Sequence, residues 1–226
     1  MKTIVFSCKY GKLLPYFAIQ FNKYFSPDQE VVVLSPRPLP PLPDNFSHFL
    51  LPGYSMSWCN DLQPFFDQFT DEYFHACMED HFLYDNVDVQ TIEDAKTYIE
   101  REDIDKFGFQ IGTRSGTKPF SVNLRYKQLT PACNLVSSLQ PSVWRTSFFK
   151  KILDSSRGLD AWEFETNNKK ESLVTDHVCI YQESPEPYPV ADVVRRRQPN
   201  KAFWGKCVTD VDDIAIFEAA TKAVFS

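Results

Sequence analysis

Hydrophobic and polar positions along the chain alternate between two rhythms. Thr3 to Ser7 and Glu30 to Leu34 (EVVVL) are short, continuous apolar runs, the pattern of strands covered on both faces of a parallel sheet. Between them, Leu14, Phe17, Ala18, Phe21 and Tyr24 recur at helical spacing and predict a helix over Leu13 to Phe25. The same logic predicts strands at His48 to Leu51 and Tyr73 to Met78. It predicts helices at Ser57 to Phe69 and at Val89 to Arg101, the latter with a heavily charged outer face. Lys106 to Ile111 predicts a strand, and Thr113 to Pro119 a polar turn. Leu124 to Leu129 and Asn134 to Leu139 alternate as antiparallel strands do. Val143 to Leu153 and Asp160 to Asn167 predict helices, His177 to Gln182 a strand, and Val211 to Phe225 a closing helix. The proline-rich stretch SPRPLPPLPDNF reads as a rigid surface connection, in preference to an SH3-type ligand.

Strand and helix therefore alternate through the first half and mix in the second. The pattern predicts an α/β fold: a mixed, mostly parallel Rossmann-like sheet flanked by helices, with a small antiparallel addition. No repeat or linker divides the chain, so residues 1–226 read as one domain.

Composition narrows the function classes. A 43% hydrophobic fraction and 20 Phe supply a large core, and a net charge of -6 argues against a nucleic-acid partner held by a general positive field. The six cysteines are scattered, form no CxxC pair, and read as small buried hydrophobes in a reducing compartment. The amino-terminal strand is too short for a signal-peptide core. No apolar run approaches the roughly 20 residues that span a bilayer. These features predict a cytoplasmic protein without a transmembrane segment, and they leave peripheral membrane contact open.

One stretch breaks the pattern. The apolar run Tyr73-Phe74-His75-Ala76-Cys77-Met78 ends in Glu79-Asp80-His81, and apolar sequence resumes at Phe82. In open α/β sheets ligands bind beyond the carboxyl ends of the strands. Carboxylates there supply hard oxygen ligands for Mg²⁺ or Mn²⁺, and an imidazole also suits Mn²⁺. A solvated acidic turn is the plainer reading of any Glu-Asp pair, but the apolar sequence on both sides sets this one apart. Downstream, SLQPSVW (Ser138 to Trp144) has a strand running into Gln140-Pro141. AWEFET (Ala161 to Thr166) sets Glu163 and Glu165 among aromatics, which favours a raised carboxyl pKa suited to base catalysis. Either glutamate also reads as a helix-surface residue beside a core ring.

Taken in order, Trp58-x-x-x-Leu62, MEDHF, SLQPSVW and WEFE resemble a family of small GT-A-type glycosyltransferases. The family comes from polysaccharide gene clusters and large DNA viruses, and it includes the glycosyltransferase domain of a chlorella-virus glycan-synthesis protein. The resemblance runs from about Thr3 to Asn200. It implies a GT-A-like fold, a nucleotide-sugar donor with a UDP-sugar favoured, a divalent metal (Mn²⁺ or Mg²⁺) and a glycan acceptor in surface or capsular polysaccharide synthesis. It maps the family's acidic motif onto Glu79, Asp80 and His81, with metal ligation at Asp80 and His81, where His81 departs from the usual third acid. The catalytic carboxylate maps onto Glu163 or Glu165. On the donor side it implies Ser7 and Tyr10 in the loop after strand one, Trp58 and Asp61 at a helix start, Glu79, and Gln140. Trp58 reads equally as core.

Arg114, Lys118, Arg125 and the run Arg195-Arg196-Arg197 are cations within reach of phosphate in principle, and solvated faces are the default for each. His177 reads as a structural histidine. A nucleotidyltransferase would carry a Gly-rich phosphate loop after strand one, and SCKYGKLLP has one glycine. The alternative outside enzymes is a catalytically degenerate nucleotide-sugar-binding subunit or scaffold of a glycan-synthesis complex.

Overall fold

A computed structural model describes residues 1–53, 57–110, 116–130, 136–167, 177–195 and 197–225. Arg114, Arg196 and one of the six cysteines, Cys133, fall outside these residues, as do parts of three predicted segments, at 111, 113–115 and 134–135.

The chain runs β1 (Thr3–Phe6), a 3-10 turn at Gly11–Leu13, α1 (Leu14–Tyr24), β2 (Val31–Ser35), β3 (Phe46–Leu50), α2 (Trp58–Gln68), β4 (Tyr73–Met78) and β5 (His81–Leu83). It continues through α3 (Val89–Arg101), β6 (Lys106–Gly108), β7 (Thr117–Pro119), β8 (Tyr126–Leu129), β9 (Ser142–Arg145), α4 (Thr146–Ser155) and α5 (Ala161–Asn167). It closes with β10 (Val178–Tyr181), β11 (Val190–Asp192), β12 (Val194–Arg195), β13 (Gln198–Pro199), α6 (Lys201–Cys207) and α7 (Val211–Phe225).

Nine strands form one sheet in the order β3-β2-β1-β4-β9-β6-β10-β8-β7. β1, β2, β3 and β4 are mutually parallel, β9 runs antiparallel between β4 and β6, and β10 is parallel to β6. This is the mixed, mostly parallel sheet the alternating pattern predicts, with β7 and β8 as the antiparallel addition at one edge.

Both faces of the sheet are covered. Val5 and Cys77 point to one core, which α1, α3, α6 and α7 close through Phe17, Phe21, Ile92, Ile99, Trp204 and Phe217. Their strand neighbours Ile4, Phe6, Phe74 and Ala76 point to the other, closed by α2, α4 and α5 through Leu62, Phe66, Phe149, Ile152 and Phe164. The period of two along a strand divides the residues in this way. Local chemistry sets the helix starts: Ser57 Oγ accepts the Asn60 N–H at 3.2 Å, and Asp88 accepts the Thr91 N–H at 3.1 Å.

Three predicted elements are different. Thr117–Pro119, the end of the predicted polar turn, is strand β7, held extended by its antiparallel pairing with β8. Ser142–Arg145 is a strand, not the start of a helix, and Trp144 lies on it opposite Phe74 and Lys106. Val136 and Ser137 form a turn and no strand covers 136–139. The five described cysteines are free thiols, with Cys59, Cys77 and Cys179 buried.

Candidate functional site

The carboxyl ends of β1 and β4 lie side by side, Phe6 opposite Met78. Beyond Phe6 the backbone turns through Ser7, Cys8, Lys9 and Tyr10. Beyond Met78 it reaches Glu79, whose side chain is buried and turned under that loop. One oxygen, Glu79 Oε1, accepts the backbone N–H groups of Cys8, Lys9 and Tyr10 at 3.0, 3.1 and 3.1 Å. Burial pushes the Glu79 carboxyl up to about 7 and the Asp80 charge adds to this, while the N–H donors of the loop oppose it. Glu79 therefore shapes the loop from below.

Asp80 follows, mostly buried, its side chain 20% exposed. Its carboxyl is pushed up to about 7, first by burial, then by the negative charges of Asp192 and Glu165. The charges of three carboxylates from separate parts of the chain are thus felt together at Asp80. The chain then leaves the main sheet as β5 and pairs with β11, which sets His81 opposite Asp192. His81 is buried; its Nε2 lies 3.5 Å from Asp192 Oδ1 and 4.0 Å from Asp80 Oδ1, and its Nδ1 has no partner among the described residues. The Asp80 carbonyl accepts the Val193 N–H at 2.9 Å, which fastens the strand after Asp192 beside the acid.

Asp192 was not anticipated. A lone carboxylate in the apolar run Val190-Ala191-Asp192-Val193-Val194 is the same anomaly as Glu79-Asp80-His81, and that was the available signal.

The two glutamates of α5 do different things. Glu163 forms a reciprocal cap with Asp160: its Oε2 accepts the Asp160 N–H at 3.0 Å, and Asp160 Oδ1 accepts the Glu163 N–H at 2.8 Å. Glu165 Oε1 accepts the Leu139 N–H at 2.6 Å, and its charge is felt at Asp80 and at Lys106. Lys106 is buried, donates to the Val136 and Ser138 carbonyls at 3.2 and 2.6 Å, and lies over the Trp144 ring at 4.1 Å. Glu165 and Lys106 thus hold the 136–139 segment that leads to Gln140, whose Oε1 is buried without a partner among the described residues. Ser7 Oγ is in the same state.

Trp58 packs edge-on against Phe6 and Phe164, centroids 5.4 and 5.3 Å apart, so its ring belongs to the core at the rim of the loop. Asp61 is buried in the first turn of α2. Arg125 pairs with Glu183 at 3.2 Å on the far edge of the sheet. His177 stands at the amino end of β10, away from Asp80, with Nδ1 2.7 Å from the Asp103 carbonyl, as its structural reading predicts. A cleft of about 620 Å³ lined by Glu72, Arg145 and Lys150 also lies at the amino end of β4, remote from the acids.

No family model matches the chain, and no curated protein matches it. Solved structures do. TarS residues 1–349 from S. aureus aligns with a TM-score of 0.51 at 16% identity, over 83% of this chain and 59% of that one. The mannosyltransferase PcManGT from Pyrobaculum calidifontis, in complex with GDP-Man and Mn²⁺, aligns with a TM-score of 0.51 at 11% identity, over 98% and 68%. A cytidylyltransferase from Leptospira borgpetersenii aligns at 0.49 and 13% identity, over 99% and 97%. The chain spans 59% of the length of TarS 1–349. At these identities the likeness establishes the fold, which is GT-A-like.

Two carboxylates with an imidazole between them are a donor set suited to Mn²⁺ or Mg²⁺. Among the described residues no three His, Cys, Asp or Glu side chains are grouped to hold a cation by themselves. The residues fit an ion that takes one or two carboxylates and completes its shell with phosphate oxygens and water.

Proposed function

We propose that this chain is a metal-dependent glycosyltransferase that moves a sugar from a nucleotide-diphosphate donor, with UDP-sugar favoured, to a glycan acceptor in surface or capsular polysaccharide synthesis. The observation that carries the reading is the junction of β1 and β4. Glu79 fixes the Ser7–Tyr10 loop through three N–H bonds while Asp80, on the next residue, is held beside Asp192 in an environment that resists its charge. A carboxylate pair whose negative charge is disfavoured gains from a cation, and a diphosphate placed there gains from the same cation.

In this reading Asp80 and Asp192 hold Mn²⁺ or Mg²⁺, with His81 ordering the two carboxylates. When bound, the metal neutralises the diphosphate as it leaves. Ser7, Tyr10 and Gln140 line the donor side, with Trp58 and Asp61 behind them. Glu165 takes the proton of the acceptor hydroxyl as its oxygen bonds to the anomeric carbon and the bond to the diphosphate breaks. Glu163, committed to the α5 cap, is the lesser candidate. Support comes from the fold shared with TarS, also solved with UDP at a TM-score of 0.50, and with a mannosyltransferase solved with GDP-Man and Mn²⁺.

Thermal unfolding of the full chain with UDP, GDP or dTDP, each with and without Mn²⁺, tests the proposal, because a ligand of the native state raises the midpoint. The expected result is a metal-dependent rise with one nucleotide, lost in Asp80→Ala. A folded protein that responds to none of them refutes the reading. A rise without turnover of any nucleotide-sugar selects the second reading, a binding-only subunit. The absence of a self-sufficient metal-ligand cluster among the described residues is what favours that reading.

A further inference from the structure

Four carboxylates, Glu79, Asp80, Glu165 and Asp192, interact around the end of β4. A diphosphate entering this field meets repulsion that one divalent cation offsets only in part, so further fixed positive charge is needed nearby. The chain supplies it immediately after Asp192.

β12 and β13 form a hairpin whose base is bonded to the backbone of the two aspartates. The Val193 N–H donates to the Asp80 carbonyl at 2.9 Å, the Asn200 N–H donates to the Val193 carbonyl at 2.9 Å, and Asn200 Nδ2 donates to the Asp192 carbonyl at 3.1 Å. Arg195 pairs with Gln198, and Arg197 occupies the turn. Both arginines are exposed. Neither guanidinium has an ion pair or hydrogen bond among the described residues, a state shared with Arg37 and Arg101 elsewhere on the surface, whereas Arg125, Arg145 and Arg157 each pair with an acid.

Two further observations aim the hairpin. The Tyr10 hydroxyl is raised by burial and by the Asp80 and Glu79 charges, and the Arg197 charge opposes them, so Arg197 lies within electrostatic reach of the β1 loop. Arg197 also has φ 62°, a left-handed backbone that glycine or asparagine adopts at lower cost. An arginine held there at a cost in backbone strain points to use of its side chain.

We infer that the β12–β13 hairpin is a phosphate clamp, in which Arg195 and Arg197 grip the diphosphate of the nucleotide donor beside the β1 loop. Guanidinium groups suit the task. They stay charged, they match phosphate oxygens with paired N–H donors, and they meet the negative charge that builds on the diphosphate as the sugar leaves. The inference rests on the donor reading above for the identity of the ligand.

Calorimetric titration of the full chain with inorganic pyrophosphate, with EDTA and then with Mg²⁺, tests the clamp apart from the donor. The wild type is expected to bind pyrophosphate more weakly as salt rises, and Arg195→Ala/Arg197→Ala to bind at least tenfold more weakly. Arg197→Gly suits the local φ, so it is expected to melt no lower than the wild type while losing affinity. Arg197→Lys is expected to retain part of it. Undiminished binding in the double variant overturns the clamp, as does a wild type that binds no pyrophosphate. If the double variant loses anionic phosphatidylglycerol vesicles but keeps pyrophosphate, the hairpin is a headgroup site and the clamp is again wrong. The two readings fail separately. Pyrophosphate binding lost on arginine replacement, with no nucleotide response in the wild type, supports the clamp and removes the donor. A nucleotide response indifferent to both arginines removes the clamp and leaves the donor.

Discussion

Glu79 Oε1 lies 3.0 Å from the backbone nitrogen of Cys8, across 71 residues of sequence, and two further N–H groups of the same loop converge on that oxygen. A buried carboxylate that accepts three donors fixes a loop more firmly than turn residues alone, because each N–H stripped of its partner carries a desolvation penalty. The loop in question flanks Asp80, so Glu79 couples the shape of the site to the stability of the fold.

Glu79→Ala is therefore expected to cost about 3 kcal/mol, the upper end of the range for hydrogen bonds to a charged group. It is also expected to abolish the nucleotide-dependent rise in melting temperature. Urea unfolding measures the first effect. A variant within about 0.5 kcal/mol of the wild type shows that the loop holds itself. Glu79→Gln keeps an acceptor oxygen in place and is expected to fall between the two.

The acids also set a pH dependence. Glu79 and Asp80 are pushed up to about 7 in the folded chain, against about 4 in an unfolded one. The native state then holds more protons between these values. The stability they contribute is fully present below about pH 4 and is lost as pH rises through 7. Melting temperature without ligand should fall from pH 5 to 7, and Asp80→Asn should flatten the fall. A cation competing with those protons should bind more tightly as pH rises, by up to about tenfold per unit, and level off above 7. Manganese affinity that ignores pH over this window contradicts the assignment of Asp80.

Much of this frame was legible in the chain. The strand at Tyr73–Met78 and the helices at Val89–Arg101 and Val211–Phe225 have the bounds their patterns predict, because long amphipathic faces and buried β-branched or aromatic runs leave little choice. Ser142–Arg145 was not legible as a strand. Four residues directly before a helix carry no period of their own, and what makes them extended is β4 on one side and β6 on the other, both distant in sequence. The acid cluster at Glu79–His81 announced itself by interrupting apolar sequence. The division of labour within it did not, since nothing local says that Glu79 faces a loop near the amino terminus or that Asp192 comes to lie opposite His81.

Glu163 and Glu165 separate cleanly in a paired experiment. Glu163 shares an exposed capping box with Asp160, so Glu163→Gln is expected to cost under about 1 kcal/mol and leave sugar transfer within about twofold. Glu165→Gln keeps an acceptor for the Leu139 N–H but loses the base, and is expected to lower kcat by about 10² or more. Turnover of the nucleotide-sugar that stabilises the protein is the readout. Equal losses in both, or a loss in Glu163→Gln alone, reverse the assignment.

Lys106 offers a second pH window. Burial lowers its ammonium to about 7, while the Glu165 charge opposes the shift. An unfolded chain holds that proton up to about 10, so Lys106 makes stability rise as pH climbs from 7 to 10. Lys106→Met removes the titration and is expected to flatten this rise. It also leaves the Val136 and Ser138 carbonyls without their donor, which should loosen the segment that Glu165 grips. Urea midpoints at pH 7 and 9 in both proteins decide it, and an unchanged slope in Lys106→Met places the titrating group elsewhere.

Asp213 secures the last helix. It is fully buried, accepts from Gln20 Nε2 at 3.0 Å and Lys23 Nζ at 2.8 Å, and also accepts from the Tyr24 hydroxyl, so α7 is fastened to α1. One turn on, Phe217 packs against Phe82 with centroids 5.2 Å apart, and Phe82 directly follows His81 on β5. Asp213→Ala strips the buried Gln20 amide of its acceptor, while the half-exposed Lys23 ammonium keeps water and Asp210, and is expected to cost about 1–3 kcal/mol, the penalty for a buried donor left without a partner. The packing adds a second consequence. If α7 holds Phe82 in place, amides of β5 and β11 should lose protection from hydrogen exchange together with those of α7, even where the variant stays folded. Exchange that quickens in α7 alone would show that the acid-bearing strand pair stands without its helix.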